Sequence, residues 1–228
     1  MAKKRVTRKQ LLKEPDEFIT FSNRMIRLGV EYKQHLMIAA GLFCAVVLIY
    51  VGMQYVSARS RAKAFNLLEN AVARYDRELA QGGPVKALAA VEGEFELILE
   101  KYGTNAAGRL ARLTFAQYHF AAGEAEQAIE LYQVALADFE DDPLYRSLAL
   151  SGLGYAYALR GDGPEAISHF EQVVSGTVAG LKGDALFNLG LLYARAGQST
   201  KSKESFQRIK EEHPESFYAE MAGEKAKL

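Results

Sequence analysis

Four histidines, at positions 35, 119, 169 and 213, and a single cysteine, Cys44, are the residues of this 228-residue chain best suited to metal or nucleophile chemistry. Their spacing does not suit it. No two histidines stand the roughly three to five residues apart that paired ligands on one helix require, and a lone cysteine can neither close an internal disulfide nor seed a Cys-based zinc site. Phe43 precedes Cys44 where a lipidation signal needs a small residue, and apolar residues run on well beyond it. The acidic run Glu140-Asp141-Asp142 stands before Pro143 and reads as a solvated loop. No G-x-x-x-x-G-K-[ST], G-x-S-x-G or H-E-x-x-H pattern occurs. His119 and His169 are the one pair that a repeated architecture could bring together, and packing or surface roles are expected for both. The sequence is not expected to be an enzyme, and no cofactor, metal, small-molecule substrate or nucleic acid is expected.

The elements behind these residues begin with an asymmetry of charge. The chain holds 28 Lys/Arg and 28 Asp/Glu. Residues 1–35 carry nine basic and four acidic side chains, residues 36–56 carry none of either, and the remainder carries 19 basic and 24 acidic. The uncharged stretch LMIAAGLFCAVVLIYVGMQYV is 21 residues long. As a helix it rises about 31 Å, which matches the hydrocarbon thickness of a bilayer. Tyr50 and Tyr55 would sit near an interface. A cleaved signal sequence ending near Val56-Ser57-Ala58 competes with this reading, but the apolar run is too long and the preceding tail too extended. The nine basic residues of the tail favour its retention in the cytoplasm and the placement of the body outside. Ala40/Cys44 and Gly41/Ala45 set small residues one turn apart, which permits close helix approach and is also ordinary span composition.

Helical periodicity runs through the rest, and no alternating strand pattern appears. Thr7-x-x-Gln10 has capping-box spacing, and Pro15-Asp16-Glu17 suits a helix start. Phe18, Phe21, Met25, Leu28 and Tyr32 then recur at helical intervals beside Arg24, Arg27 and Lys33. That pattern fits an interfacial amphipathic helix on an anionic membrane face, or a plain extension of the span. Beyond the span, Phe65, Leu68, Val72, Tyr75 and Leu79 form one stripe and Leu88, Val91, Phe95, Ile98 and Tyr102 another. Gln81-Gly82-Gly83-Pro84 separates them, so the two are expected to face each other in a helical hairpin. All five prolines are expected at helix starts.

A repeat follows. Leu153-Gly154-x-x-Tyr157, Gly161, Ala166 and Phe170 recur 36 residues later as Leu189-Gly190-x-x-Tyr193, Gly197, Ser202 and Phe206, ending in Pro214. A weaker copy, Phe115-Ala116-x-x-His119, Gly123, Ala128 and Tyr132, lies 38 residues earlier. These residues resemble the tetratricopeptide repeat, a pair of antiparallel helices written L-G-x-x-Y…A-x-x-x-F…P. The small residues are expected where the two helices cross. The aromatics at 132, 157, 170, 193 and 206 are expected to fill the gap to the next repeat, since one repeat cannot bury its own apolar face. The usual tryptophan is absent, and His119 stands where an aromatic is usual. The fold expected is all-α, a single N-terminal transmembrane helix followed by a tetratricopeptide-repeat solenoid. Its parts are a basic cytoplasmic tail at 1–35, the span at 36–56, a helical hairpin at 57–108, three repeats over 109–214 and a capping helix at 215–228.

The resemblance also implies a site. The first helix of each repeat lines the concave face, which places Leu113, Gln117 and Phe120, then Ser151, Tyr155 and Leu159, then Phe187, Leu191 and Arg195 toward a partner. The expected partner-binding set is Gln117, Phe120, Tyr155, Leu159, Phe187, Leu191 and Arg195, an apolar and aromatic groove suited to a helix or an extended segment. Several of these could instead pack the superhelix or receive the chain's own terminal helix. A basic tail, one anchor and an acidic repeat body together resemble the YfgM-like family, ancillary subunits of the Sec translocon, as do Lys101-Tyr102-Gly103-Thr104 and the Glu212–Ala219 segment. That resemblance implies a bacterial inner-membrane protein whose periplasmic domain contacts translocon subunits and chaperones. A structural scaffold in another envelope complex stays open beside it.

Overall fold

A computed structural model describes residues 17–226. The capping-box positions Thr7 and Gln10 and the Pro15-Asp16 helix start lie outside the described residues. Helices are the only regular elements among those described. Two compact units divide between Ala58 and Arg59.

The first unit holds α1 (Glu17–Glu31) and the start of α2 (Lys33–Tyr102). The Tyr32 amide donates to the Leu28 carbonyl and the Leu36 amide to that of Tyr32, each at 2.9 Å, so the backbone ladder runs on through the turn between them. Phe21, Met25, Leu28 and Tyr32 are all exposed. So is every residue from 36 to 56, which makes this stretch of helix long and apolar enough to cross a membrane. Its one amide side chain, Gln54, donates to the Tyr50 hydroxyl one turn earlier at 3.1 Å. Ala40, Gly41, Cys44 and Ala45 form an open strip of small residues.

In the second unit α2 is bent by Gly83, whose φ of 76° only glycine adopts readily. Pro84 follows as the first residue of the return arm. The arms run antiparallel, tied by Arg74 to Glu94 at 2.5 Å and Lys86 to Glu78 at 3.2 Å. The return arm buries Leu88, Val91, Phe95 and Ile98, as its spacing predicts, with Tyr102 half-buried. The outgoing arm differs. Phe65 and Leu79 are exposed, and the buried line is Ala64, Ala71 and Tyr75, with Leu68 and Val72 half-buried. Alanine at the contact lets the arms close, and the bulkier residues rotate outward.

Three further hairpins follow: α3 (Ala106–Ala121) with α4 (Ala125–Asp138), α5 (Pro143–Arg160) with α6 (Gly163–Ser175), and α7 (Ala179–Arg195) with α8 (Ser199–Glu212). A short α9 (Ala219–Lys225) closes the described chain. Each helix packs on the next. Tyr118 stacks on Tyr75 and Phe115 on Phe95, joining the first hairpin to α3. Asn105 caps α3 by accepting from the Gly108 amide, and Asp142 caps α5 by accepting from Leu144 and Tyr145, with Pro143 in the first turn. Pro164 likewise opens α6. Pro214 does not begin a helix. It lies in the turn between α8 and α9, and that turn shortens the terminal helix to seven residues.

The turn inside each hairpin is the same. Gly123, Gly161 and Gly197 have φ of 85°, 91° and 73°, and the following amides of Glu124, Asp162 and Gln198 donate back to His119, Tyr157 and Tyr193. Beyond the turn the helices cross at a glycine. A Cβ added to Gly154 would meet the Phe170 ring at 2.8 Å, and one added to Gly190 would meet the Phe206 ring at 2.5 Å. Both rings are buried. Phe170 and Phe206 therefore close their own repeat. Each also belongs to a buried cluster that takes in the following element, Ala185 and Leu189 for Phe170 and Ala222 for Phe206. Tyr132 reaches across, to Gly152 of the following hairpin. Tyr157 and Tyr193 reach backward, toward the preceding repeat. The Tyr157 hydroxyl accepts from Gln133 at 3.1 Å and that of Tyr193 donates to Glu171 at 2.5 Å. Ser202, in the place of Ala128 and Ala166, donates to the Gly190 carbonyl at 2.8 Å. His119 forms no pair with His169. It meets Glu124 at 2.7 Å, while His169 lies flat on Tyr157.

Glycine inside a helix costs about 0.5–1 kcal/mol against alanine, so it survives where a ring needs the space. Gly190→Leu should cost about 1–3 kcal/mol by overpacking. Gly93→Ala, at an exposed helical position with nothing near its Cβ, should gain about 0.5–1 kcal/mol. Thermal denaturation followed by circular dichroism reads both, and the same sign for the two would contradict the ring-on-glycine contact.

Candidate partner-binding face

The first helices of successive hairpins touch one another, α3 with α5 and α5 with α7, and the second helices make no comparable contact among the described residues. The superhelix therefore curves with its first helices on the inside. Gln117 and Leu159 are exposed. Phe120 is half-buried and lies against the half-buried Tyr155, ring centres 5.9 Å apart. Tyr155 also meets Phe170 edge-on at 5.1 Å. Leu113 is half-buried and Ser151 is buried. Arg195 stands apart at the end of α7, in a cleft of about 590 Å³ between hairpins, with Tyr193, Gln198 and Lys201.

A polar cluster that the motif did not single out joins these residues. The Tyr155 hydroxyl donates to Asp184 at 2.5 Å and accepts from Asn188 at 3.0 Å, across the junction of α5 and α7. Asn188 also donates to the Asp184 carbonyl at 2.9 Å. Burial, then the bond to Asp184, pushes the Tyr155 phenol far above its ordinary value, so it remains a donor across the physiological range. Asp184, Asn188, Leu191 and Arg195 recur at intervals of four, three and four on α7. The expected residues Leu191 and Arg195 thus already marked the face, and extending the stripe by two turns finds the other two.

Phe187 is not free. It is 8% exposed and packs with Leu186, Phe206 and Ile209, and the Tyr218 ring stacks on it at 4.4 Å. Leu191 is half-buried and packs against the same cluster. Of the expected groove, Gln117, Leu159 and Arg195 are exposed, Phe120, Tyr155 and Leu191 are half-buried, and Phe187 lies beneath the Tyr218 ring.

Models of the tetratricopeptide repeat match residues 149–181 and 184–216. These two stretches are tetratricopeptide repeats. The hairpin of α3 and α4 shares their turn geometry without such a match. No curated protein matches the sequence. Among solved structures, a tetratricopeptide repeat protein from Parabacteroides merdae superposes with a TM-score of 0.55 at 16% identity, covering 71% of this chain and 59% of that one. A Podosopora anserina protein with nearly identical TPR-like repeats of kinesin light chain type gives 0.58 at 17%, covering 73% and 84%. BtubC (BKLC) from P. vanneervenii gives 0.50 at 19%, covering 54% and 56%. The chain thus spans less than two thirds of two of these three structures. At such identities the likeness is one of fold, an all-helical tetratricopeptide-type solenoid, and such repeats form protein–protein interaction modules. Among the described residues no cluster of His, Cys, Asp or Glu could hold a metal ion.

Residues that hold this face and residues that offer it should separate by stability. Phe187→Ala should cost about 3–5 kcal/mol, as a buried ring does. Tyr155→Phe should cost about 1.5–3 kcal/mol through the lost bond to a carboxylate. Gln117→Ala and Leu159→Ala should stay within about 0.5 kcal/mol. Chemical denaturation checks the order, and a Phe187→Ala variant as mild as Leu159→Ala would return Phe187 to the accessible set.

Proposed function

We propose that the chain is a membrane-anchored interaction module that holds protein segments on its concave repeat face beside the bacterial Sec translocon and its periplasmic chaperones. The observation that carries this reading is an exposed, uncharged stretch of helix at 36–56 in the same chain as repeats of a partner-binding fold. Such a stretch finds a favourable environment in hydrocarbon, and the nine basic residues before it keep the tail in the cytoplasm. Residues 57–228 then stand in the periplasm of a single-pass inner-membrane protein. α1 supports the anchor, because Phe21, Met25, Leu28 and Tyr32 are exposed beside Arg24, Arg27 and Lys33, a composition that lies on anionic lipid. The translocon and the chaperones enter through the resemblance to the YfgM-like family. Capture of protein segments is assigned to the inner residues Gln117, Phe120, Tyr155, Leu159, Leu191 and Arg195, with Phe187 beneath the Tyr218 ring.

Two measurements in the same strain test this. A reporter active only in the periplasm, fused after Leu228, should be active, and activity of a cytoplasm-only reporter there would end the translocon-exit reading. Cross-linking in membranes followed by mass spectrometry should recover translocon subunits. Recovery of a stoichiometric outer-membrane-assembly, division or polysaccharide-export complex without them would favour the fixed scaffold instead.

A further inference from the structure

After α8 the chain turns back over the last repeat. His213 is buried and Ser216 lies against Gly183, where an added Cβ would meet the serine Cβ at 2.8 Å. The Tyr218 ring stacks on Phe187, 18° from parallel. Ala222 then enters the cluster of Leu186, Phe206 and Ile209 with no exposed surface. Burial, then the Asp184 carboxylate, raises the Tyr218 phenol. Tyr218 therefore meets, from the chain's own end, the Phe187 ring of α7, the helix that also carries Asp184 and Asn188 with their bonds to Tyr155.

Three features set this contact apart from a plain cap. The segment from 213 to 218 is a turn with no regular helix, and it presents a single aromatic as a peptide does. The helix after it has seven residues, below the length at which a helix holds itself together in water, so the segment relies on Tyr218 and Ala222 for its place. Phe217 is 87% exposed beside Tyr218, and Met221 is exposed as well. The segment thus leaves apolar surface in water while its one stacked ring covers Phe187, beside the polar cluster of Asp184, Asn188 and Tyr155.

We propose that Phe187, Asp184, Asn188 and Tyr155 form a tyrosine-reading subsite of the concave face, occupied in cis by Tyr218, and that a protein segment bearing a tyrosine displaces the 216–226 segment and binds in its place. This rests on the reading of the repeats as a partner-binding module and names the chemistry they read. The phenyl ring supplies stacking on Phe187, and Asp184, one turn away on the same helix, offers the hydroxyl of an incoming tyrosine an acceptor. Tethering holds the internal tyrosine at an effective concentration of the order of millimolar. The subsite is therefore masked, and a partner's apparent affinity falls by the fraction of time the subsite is open.

The test uses the full chain in detergent and a fluorescent peptide with the sequence of residues 213–222, beside a counterpart with alanine in place of its tyrosine. The Tyr218→Ala chain should bind the tyrosine peptide at least tenfold more tightly than the wild type and should ignore the counterpart. Asp184→Ala added to Tyr218→Ala should reverse most of that gain. Equal binding of both peptides, or binding of neither by a folded Tyr218→Ala chain, overturns the proposal. Hydrogen exchange on the wild type decides the matter even where Tyr218→Ala does not fold. Amides of 216–226 should exchange faster than those of α7 and α8, and faster again with saturating tyrosine peptide. Exchange in step with α7 and α8, unmoved by peptide, overturns it. Purified chain and peptide contain no membrane partner, so failure here leaves the cross-linking result standing, and failure of the cross-linking leaves this one standing.

Discussion

The contact on which the repeat body depends is a phenylalanine ring laid on a helix that lacks a side chain. Phe170 on Gly154 and Phe206 on Gly190 set how closely the two helices of a repeat approach. Close approach within a hairpin, together with first helices that touch across hairpins and second helices that do not, bends the stack toward its first helices. Packed interiors have the density of organic crystals, and a methyl group at either glycine would have to be met by movement of a fully enclosed ring. Curvature follows from this contact, and the concave face follows from curvature.

Once the face exists, its chemistry is set by which side chains the first helices turn inward. Tyr155, Asp184 and Asn188 link two repeats by hydrogen bonds on the inner surface. Tyr157 with Gln133 and Tyr193 with Glu171 link neighbouring repeats as well, each from a first helix to the second helix before it. The same motif position thus acts as a polar clasp in two repeats. In the third, His119 turns to Glu124 of its own hairpin. A buried polar group costs free energy unless it is paired, and pairing across repeats fixes the register of the stack as apolar contact alone would not.

Much of this was legible in the sequence. The recurring Gly123, Gly161 and Gly197 mark turns that need a positive φ, and the Leu88-to-Ile98 stripe marks a buried face. Close helix approach at Gly154 and Gly190 follows from the repeat, although the ring that fills each crossing does not. Motif spacing says that Tyr157 is buried and is silent on whether its hydroxyl turns forward or back. The stripe through Phe65 and Leu79 misled because Ala64 and Ala71, next to Phe65 and Val72, pack more closely than the large residues that dominate a hydrophobic pattern. The motif places Phe187 toward the inner face and leaves open that the chain's own terminal helix covers it, and in the structure it is covered. What covers it is Tyr218, a residue 31 positions away. A local period cannot report such a contact, because it is set by where the chain's end returns.

The central claim is that partners meet the inner face formed by the first helices. Site-specific photo-cross-linking in membranes tests it most directly, with a photoreactive residue at Gln117 or Leu159 on first helices and at Gln127 or Gln207 on second helices, all of them exposed. The account predicts partner adducts from the first pair and none from the second. Adducts from Gln127 and Gln207 with none from Gln117 and Leu159 would contradict it.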